Sequence, residues 1–372
     1  MQEEQPVRPF VEHPLAAVSA AALAVALTRC ASPAAHDQTG PATQASTATP
    51  TVTVSVNDAD KRVDVTVDGQ PFTSYIWPDS LEKPALYPIR TAAGTVVTRG
   101  FPPLDHERQD HPHHVGLWFN YGDVNGFDFW NNSDAIKGDR VAKMGSVEHR
   151  SITSSSSGQG EGRLEVTADW VAADGKTLLN EKTTFVFRAA PGVRMIDRTA
   201  VLTAAKGAGT ISMKDNKEGM LGLRVIRALE DPAEKSGDFK DASGAVVRMR
   251  DMDTSAISGK YLSSEGKVGG EVWGTRGTWT KLSGTLDGKP LTVAILDHPK
   301  NPGHPTYWHA RGYGLYAANP LGQKEFSKGA ETLDFSIPEG GSATFAYRIL
   351  LLDADPTAEQ MAEYYASWTA AS

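Results

Sequence analysis

Residues 164–175 have the sequence LEVTADWVAADG, in which apolar and polar side chains alternate one by one. This period of two places one face of a β-strand in a core and the other face in solvent. Asp174-Gly175 ends the run, and Asp-Gly after an alternating run indicates a hairpin, because both residues tolerate the positive φ of a tight turn. The stretch predicts an antiparallel hairpin.

The same pattern recurs twice, at Asp68-Gly69 and Asp287-Gly288, each preceded by an alternating run. The chain has 372 residues with Gly 35 and Pro 22, a content that indicates many turns and therefore many short strands. We predict a mainly β protein, a large antiparallel β-sandwich that forms a single domain over residues 51–372.

The C-terminus alone indicates a helix, and a short one. Asp355-Pro356 offers a cap and a first-turn proline, and Thr357 with Gln360 has the spacing of a capping box. Aromatic and apolar side chains recur there at helical spacing: Met361, Tyr364, Tyr365 and Trp368. This stripe predicts a helix that packs on a sheet.

The N-terminal part predicts an exported protein. The apolar run 15–27 has the length of a secretory h-region and is shorter than the ~20 residues that span a bilayer. The residues that end at Cys30 resemble a bacterial lipoprotein signal, although Arg29 occupies a position that favours a small residue. We expect a leader over 1–30, a flexible linker over 31–50 and a periplasmic or cell-surface location. A lipid on this cysteine would be the only membrane attachment.

Composition excludes several classes of function. The net charge is −8 and Lys and Arg form no cluster, which argues against nucleic-acid binding. Cys30 is the only cysteine, so a disulfide framework within the chain is impossible. No segment after the leader is long and apolar enough to cross a membrane. We expect a small-molecule carbohydrate as the partner, infer no protein partner, and predict no cofactor unless a divalent metal is bound.

The first candidate site lies at 105–130, where four of the ten histidines fall within nine positions beside three carboxylates. Histidine suits proton transfer and metal ligation because its pKa lies near neutrality. If a strand begins near His113, then His114, Gly116 and Trp118 share the face opposite the core. We expect the glycine to leave a gap in which a sugar ring stacks on the indole and bonds the imidazole. His113 would be either functional or a buried, hydrogen-bonded histidine.

Further substrate-binding candidates flank this strand. His106 and His111 precede it on a loop, where binding residues concentrate. Three polar side chains and one more indole follow it: Asp123, Asn125, Asp128 and Trp130. They fit a sugar-binding loop, and they also fit an ordinary turn packed by its aromatic residues.

The second candidate site lies at 297–320. If its end is a strand, four polar or amphipathic side chains share one face: Tyr307, His309, Arg311 and Tyr313. Such a face suits a cleft wall or a solvated surface better than a core. Arg311 would hold a carboxylate or a developing oxyanion, and His309 would carry a proton.

Glu218, between the two segments, is a candidate base, although a charged loop also explains it. We therefore predict as catalytic residues His114, His309, Arg311 and Glu218. We add Tyr307 and His298 to the substrate-binding candidates.

A metal site is an alternative interpretation of the first segment. It contains enough ligands for Zn²⁺ or Fe²⁺, including two histidines with one carboxylate. The candidate ligands are His106, His111, His113, Asp110 and Glu107. Their spacing matches no helix-based metal motif.

With these residues in view, the chain resembles the bacterial DUF6807 family, which is carried under the label methane oxygenase PmoA-like. The resemblance covers most of residues 51–352 and rests on three stretches: DHPHHVGLWFNYGDVNGFDFW (110–130), KEGMLGLRV (217–225) and HPTYWHARGYGLYAANPLG (304–322). It implies a galactose-mutarotase-like β-sandwich and a protein that is secreted or takes part in sugar catabolism. Methane oxidation is disfavoured, because the methane-oxidising membrane subunit has apolar spans that this sequence lacks.

Our leading hypothesis is an extracytoplasmic enzyme, a lyase, hydrolase or epimerase, that acts on a sugar or glycoside by acid/base chemistry. Hydrolysis would require two carboxylates at a defined separation, for which Asp123, Asp128 and Glu218 are candidates. The alternatives are a metal-dependent enzyme and a non-catalytic sugar-binding lipoprotein.

Overall fold

The computed structural model describes residues 49–234, 237–240, 246–249 and 255–371. The expected leader, its Cys30 and nearly all of the expected linker lie outside these ranges. The described residues belong to one compact unit by their internal contacts. None of the described helices is both long enough and apolar enough to span a bilayer.

Twenty-one strands and two helices make up the described chain. The strands are β1 (Thr51–Asn57), β2 (Arg62–Val67), β3 (Gln70–Ile76), β4 (Ala85–Leu86), β5 (Leu117–Tyr121), β6 (Gly145–Ser156), β7 (Gly158–Gln159), β8 (Glu161–Ala172), β9 (Thr177–Ala190), β10 (Val193–Ala204), β11 (Ile211–Met213), β12 (Gly219–Arg224), β13 (Gly237–Lys240), β14 (Val246–Met249), β15 (Lys260–Ser263), β16 (Trp279–Leu286), β17 (Lys289–Asp297), β18 (Tyr307–Ala310), β19 (Leu315–Asn319), β20 (Phe335–Ile337) and β21 (Ser342–Leu352). The helices are α1 (Gln323–Phe326) and α2 (Ala358–Ala370).

Two large antiparallel sheets face each other. The nine-stranded sheet has the order β18-β19-β12-β5-β4-β3-β2-β1-β7, and the eight-stranded sheet has the order β15-β16-β17-β21-β10-β9-β8-β6. Two strand pairs, β11-β20 and β13-β14, form small sheets. The prediction of a mainly β, antiparallel sandwich is confirmed.

The three predicted hairpins are present. Asp68-Gly69 joins β2 to β3 with φ of 49° and 76°, and Asp287-Gly288 joins β16 to β17 with φ of 52° and 74°. Positive φ at both central residues defines the tight turn that matches strand twist. Along β8, every second side chain is buried, as the alternation predicts.

The core lies between the two sheets and is rich in aromatic residues. Phe119 of β5 contacts Trp170 of β8 at 6.2 Å and Phe345 of β21 at 5.8 Å between ring centres. These three side chains are at most 2% exposed. Burial of each side chain stabilises the fold by roughly 1.5–3 kcal/mol. A shift of register by one residue would turn these side chains to the other face of the sheet, so their burial fixes the register of both sheets.

The outer face of the nine-stranded sheet carries a different set of residues. Register places Trp118 opposite Gly222, Gly222 opposite Ala317, and Ala317 opposite His309. This row crosses four strands and points away from the core. A Cβ on Gly222 would lie 2.5 Å from the indole of Trp118 and 2.7 Å from that of Trp130, so glycine makes room for both indoles.

The C-terminal helix α2 is confirmed, with one correction. Its N-cap is Thr357, which forms both hydrogen bonds of the capping box with Gln360. Asp355 and Pro356 therefore precede the helix, and the proline does not lie in its first turn. Asp355 instead accepts a hydrogen bond from Lys281 at 2.5 Å. The apolar stripe of the helix packs on the eight-stranded sheet as predicted.

Candidate functional site

The histidine-rich segment forms a turn, and the predicted early strand is wrong. The backbone N–H of His114 donates to the carbonyl of His111 at 3.0 Å, and β5 begins only at Leu117. Gly116 has φ of +59°, and a Cβ there would lie 2.2 Å from the Leu86 carbonyl oxygen. The glycine therefore allows the chain to turn closely past β4 before it becomes a strand.

The expected gap between an imidazole and an indole does not exist. The rings of His114 and Trp118 stack directly, with centres 5.1 Å apart and an angle of 19° between their planes. Trp130 packs against both rings, 5.0 Å from Trp118 and 6.1 Å from His114, and both indoles are fully buried. Neither tryptophan offers a surface for a sugar, because each is covered by its neighbours.

Arg99 fixes the backbone conformation of residues 108–114. Its guanidinium donates to four backbone carbonyls, those of Arg108, Asp110, His111 and His114, at 2.6–3.1 Å. Burial, together with the nearby Arg224, lowers the pKa of Arg99 to about 9. Arg99 was not predicted from the sequence, because its hydrogen-bond partners are main-chain atoms that leave no pattern in the sequence.

Asp110 and Arg224 form a buried ion pair beneath the turn. Arg224 donates through Nη2 at 2.8 Å and through Nη1 at 3.1 Å to the two carboxylate oxygens. Burial opposes the charge on Asp110, but Arg224 and His111 hold the pKa of this carboxyl well below its usual value. Arg224 was also missed, although an arginine at the end of an apolar strand was a signal available in the sequence.

Of the three histidines in this turn, His111, His113 and His114, only His111 reaches the surface. Its side chain is 14% exposed, and its Nδ1 hydrogen-bonds the carboxylate of Asp110. The ring stacks between His114 at 4.7 Å and Tyr313 at 5.3 Å, nearly parallel to both. Because Nδ1 is engaged by a carboxylate, Nε2 is left to exchange a proton with a ligand.

His114, predicted to be catalytic, and His113 are both buried. Burial, reinforced by neighbouring positive groups, holds the pKa of each imidazole well below its usual value. Nδ1 of His114 lies 3.3 Å from Arg224, and Nε2 of His113 is buried with no hydrogen-bond partner among the described residues. Both rings support the turn and stay uncharged at neutral pH.

Glu218 and His309 lie side by side at the outer face of the sheet. His309 Nδ1 donates to the Lys217 carbonyl at 2.9 Å and lies 3.9 Å from Glu218 Oε2. Burial, helped by Arg311, lowers the pKa of His309 to about 3. Burial also raises the pKa of Glu218, against the opposing charge of Lys217. The pair therefore joins a neutral imidazole to a carboxyl whose proton is held more tightly than usual.

The guanidinium of Arg311 lies beside Glu218 and His309 and is not hydrogen-bonded to another side chain of the described residues. Strand β18 ends at Ala310, so Arg311 lies in the following turn and not in the predicted strand. Its guanidinium is 5.6 Å from the ring centres of both Trp273 and Tyr313. Within the described ranges it has no hydrogen bond or ion pair, so its N–H groups remain for a ligand. Trp273 was not foreseen from the sequence.

Tyr313 joins the two predicted segments into one site. Its ring contacts His111 on one side and the Arg311 guanidinium at 5.6 Å. Burial raises the pKa of its hydroxyl, so Tyr313 stays protonated. Residues that are some 200 positions apart in the chain thus meet at one surface, which we call the His111–Arg311 site and define by His111, Glu218, His309, Arg311 and Tyr313.

Several predicted substrate-binding residues hold turns instead. Asp123 accepts from the Gly126 N–H at 2.9 Å, and Asn125 accepts from the Ser212 N–H at 2.7 Å. Asp128 accepts from two backbone N–H groups and from the Asn131 side chain at 2.7–3.0 Å. These three residues shape the loop after β5.

Three further candidates lie away from the site or at its edge. His298 follows β17 of the eight-stranded sheet and packs edge-on against Trp368 of α2, apart from the other candidates. His106 is exposed on its loop. Tyr307 bonds Glu331 at 3.3 Å and stacks on Phe326, at the edge strand next to His309.

Two of the candidate metal ligands are engaged in other contacts. Glu107 accepts from the N–H groups of Gly100 and Leu104 at 2.8 and 3.0 Å, and Asp110 is paired with Arg224. Among the described residues, no three His, Cys, Asp or Glu side chains are grouped so that they could hold a metal ion.

A model of a family of unknown function, DUF6807, matches residues 62–366. The chain belongs to DUF6807. This match confirms the resemblance drawn from the three conspicuous stretches, and it carries no support for the methane oxygenase label. A search among curated proteins finds no sequence match to this DUF6807 member.

Solved structures with distant similarity include two proteins related to galactose mutarotase. One, described as galactose mutarotase-like, is from Clostridium acetobutylicum, with 7% identity, a TM-score of 0.38, and coverage of 82% of this chain and 98% of that chain. Another, described as a galactose mutarotase related enzyme, is from Lactobacillus acidophilus, with 10% identity, a TM-score of 0.30, and coverage of 82% and 99%.

A GH36 α-galactosidase from Geobacillus stearothermophilus is also similar, with 11% identity, a TM-score of 0.33, and coverage of 81% of this DUF6807 chain and 41% of that chain. With TM-scores this low, these likenesses say nothing about the reaction. The assignment of the fold rests on the two sheets themselves.

Proposed function

We propose that this DUF6807 protein is a carbohydrate-active enzyme that moves a proton on a sugar at the His111–Arg311 site. The observation that carries the proposal is the neutral His309 imidazole 3.9 Å from the Glu218 carboxylate, with the uncommitted Arg311 guanidinium beside it. A base, an acid and a cation for developing negative charge are the groups that proton transfer next to a carbonyl requires.

Each residue of the site has a role that its surroundings support. Glu218, partly exposed and with a raised pKa, is the base. His111, with Nδ1 engaged by Asp110, exchanges a proton through Nε2. His309 accepts a hydrogen bond from a sugar hydroxyl, because its Nδ1–H donates to a carbonyl and it stays neutral. Arg311 binds an oxyanion or the carboxylate of a uronate.

Epimerisation or elimination is supported better than glycoside hydrolysis. A glycosidase uses two carboxyl groups that flank the bond to be broken. Of the predicted carboxylates, Asp123 and Asp128 are occupied by the turns that they stabilise. Glu218 is then the only one of the three that is placed to react.

The test is hydrogen exchange between sugars and solvent. Purified protein is incubated in D₂O with aldoses, ketoses and uronates, and deuterium at carbon is followed by NMR. We expect incorporation into at least one sugar, and a loss of roughly 10²–10⁴-fold in Glu218→Gln, as for removal of a general base. The matched control is Glu363→Gln, on the exposed face of α2, which should keep the full rate.

A full rate in Glu218→Gln would refute the assignment of the base. Binding of a sugar by calorimetry, with no exchange and no altered product, would favour the non-catalytic sugar-binding alternative.

We also propose that the protein is exported and lipid-anchored at Cys30, on the basis of the apolar run 15–27 and the linker after it. Expression of the full chain with labelled palmitate tests this. Label should appear in the wild-type protein and be absent from Cys30→Ser; equal labelling of the two would contradict the proposal.

A further inference from the structure

Trp273 places an exposed indole at the His111–Arg311 site. The residue is 39% exposed, whereas the other seven of the chain's eight tryptophans, all within the described ranges, are buried or partly buried. An indole combines a large apolar surface with one N–H donor, which suits a ligand that has both apolar and polar faces. A pyranose is such a ligand, because its C–H groups form an apolar face beside its hydroxyl groups.

Hydrogen bonds fix this indole next to strand β18. Trp273 follows a short 3-10 turn, Gly269–Val272. The Gly274 N–H donates to the Trp308 carbonyl, and the Trp308 N–H donates to the Thr275 carbonyl, both at 2.9 Å. Because the segment pairs with β18 in this way, the indole is positioned by the same strand that carries the imidazole of the site.

Ring contacts connect Trp273 to the charged and basic groups of the site. The Arg311 guanidinium lies 5.6 Å from its ring centre, and the His309 imidazole lies 6.4 Å away, edge to face. Phe326, only 7% exposed, packs against it at 5.7 Å. The indole therefore rests on a buried ring and still presents surface to solvent beside the guanidinium.

A ligand from solution can reach this part of the site. Arg311 is partly exposed, and the side chains of Glu218 and His111 are 19% and 14% exposed. Glu218 in turn lies 3.9 Å from Nδ1 of the buried His309. Measured contacts thus link the exposed indole to the groups assigned to proton transfer, and only His309 among them is closed to solvent.

The guanidinium beside the indole favours an anionic ligand. Within the described ranges, Arg311 has no hydrogen bond or ion pair, although Glu218 and Glu234 lie within electrostatic range. A cation that is partly withdrawn from water is stabilised by a ligand of opposite charge. The planar guanidinium matches a carboxylate, with which it forms two parallel hydrogen bonds.

We propose that the site binds a uronate, a sugar with a carboxylate at C6, whose ring packs on the exposed indole of Trp273 and whose carboxylate pairs with Arg311. The hydrogen at C5 is next to this carboxylate. When Glu218 takes the C5 proton, the electron pair of the broken C–H bond is shared with the carboxylate group, and the guanidinium stabilises the added negative charge.

The inference rests on the proposed function for the role of Glu218, and it deepens that function in two ways. It names the class of substrate, an acidic sugar in place of a neutral one. It also assigns Trp273 as a residue that positions the substrate.

The experiment compares ligands that differ only at C6: the methyl glycosides of galacturonate and glucuronate, and those of galactose and glucose. Full-chain Glu218→Gln, which should bind without turnover, is titrated with each and followed by tryptophan fluorescence. We expect the uronate of at least one pair to bind roughly 10-fold more tightly than its neutral partner, because hydrogen bonds between charged groups are the stronger ones. The preference should shrink in concentrated salt. Uronates that bind no more tightly than their neutral partners would overturn the proposal.

Two variants assign the contacts, and circular dichroism checks that each is folded. Trp273→Phe should lose the fluorescence response to the uronate, and Arg311→Gln should lose the preference for the uronate over its neutral partner. The matched control is Trp77→Phe, a partly buried indole that contacts Tyr75 and His149, and it should keep both. A full response in Trp273→Phe would exclude the indole from the site.

Hydrogen exchange in the wild-type protein separates this inference from the proposed function. Exchange into a neutral sugar, by a protein that does not prefer the uronate, would support proton transfer and overturn the assignment of the substrate class. Preferential uronate binding with the Trp273 response, but with no exchange into any sugar, would support the binding site and refute proton transfer.

Discussion

Arg224 donates to both carboxylate oxygens of Asp110, at 2.8 and 3.1 Å, and neither residue is more than 2% exposed. Removing Arg224 leaves the buried Asp110 carboxylate with only Arg99 and His111 beside it, and breaking a buried ion pair costs about 3–5 kcal/mol. We therefore expect Arg224→Met to lower the free energy of unfolding by about this amount in urea titrations.

The exposed pair Lys61–Asp79 is the matched control for this measurement, since its side chains are 41% and 91% exposed. Lys61→Met should change the free energy of unfolding by only about 0–1 kcal/mol. Equal effects of the two substitutions would show that the buried pair does not stabilise the turn.

Stability should fall steadily in mild acid. The pKa values of His113 and His114 are well below 6.5 in the folded protein, and that of His309 is about 3. Below about pH 6.5 the unfolded chain binds protons that the folded chain does not, so stability is complete above that pH and is lost as the pH falls. Each such histidine contributes a slope of up to about 1.4 kcal/mol per pH unit.

Urea unfolding at pH 7.5, 6 and 5 checks this expectation. His309→Gln should show a shallower dependence than the wild-type protein, because one titrating group is removed. A dependence that is unchanged in this variant would mean that His309 is not held neutral.

The acid limb of the exchange rate should report Glu218. The base acts when deprotonated, and burial raises its pKa above the ordinary 4.5, so the rate should fall as the pH drops through that raised value. Lys217 lies 3.5 Å from the carboxylate and opposes this shift. Lys217→Met should therefore move the acid limb to higher pH in kcat/KM profiles, whereas Lys214→Met should not. An unmoved limb in Lys217→Met would contradict the assignment.

Arg311 should be intolerant of a conservative change. Lysine keeps the charge but loses the planar fork and its stacking between Trp273 and Tyr313. We expect Arg311→Lys to lower kcat/KM by roughly 10²-fold. Arg163→Lys, in a surface pair of β8, is the control and should have full activity. An active Arg311→Lys enzyme would exclude a role for the guanidinium geometry.

Gly116 should be required for the fold of the turn. Alanine would combine a positive φ with a Cβ 2.2 Å from the Leu86 carbonyl oxygen, so Gly116→Ala should lower the free energy of unfolding by roughly 1–3 kcal/mol or more. Gly69→Ala has the positive φ without the collision, and it should cost only about 1 kcal/mol. Thermal unfolding of both variants therefore separates the cost of the positive φ, which both share, from the cost of the steric clash, which only Gly116→Ala has.

The fold was accessible from the sequence because its signals are local. Alternation along 164–172, the Asp-Gly turns and the capping box of Thr357 each involve residues within a few positions of one another. The site was accessible only in part. The sequence identified His309, Arg311 and Glu218 by residue type, but the stacking of His114 on Trp118 depends on a backbone turn at Gly116 that alternation does not reveal.

The remaining site residues depend on contacts between distant parts of the chain. Arg224 pairs with Asp110, which is 114 positions away in the chain. Trp273 is significant only because the fold leaves it exposed beside Arg311. No pattern of spacing in one sequence reports such partners, since it says nothing about which surfaces meet.

Arg99 contacts the histidine turn through four main-chain oxygens, which every amino acid supplies, and through one side chain, the carboxylate of Asp110 at 3.5 Å. Relatives could therefore replace residues 108, 111 and 114 by other types and still retain the course of the loop, provided that the arginine persists. The backbone conformation of the turn would then be retained while its side chains vary. Specificity could be altered by substitutions in the turn that leave Arg99 unchanged.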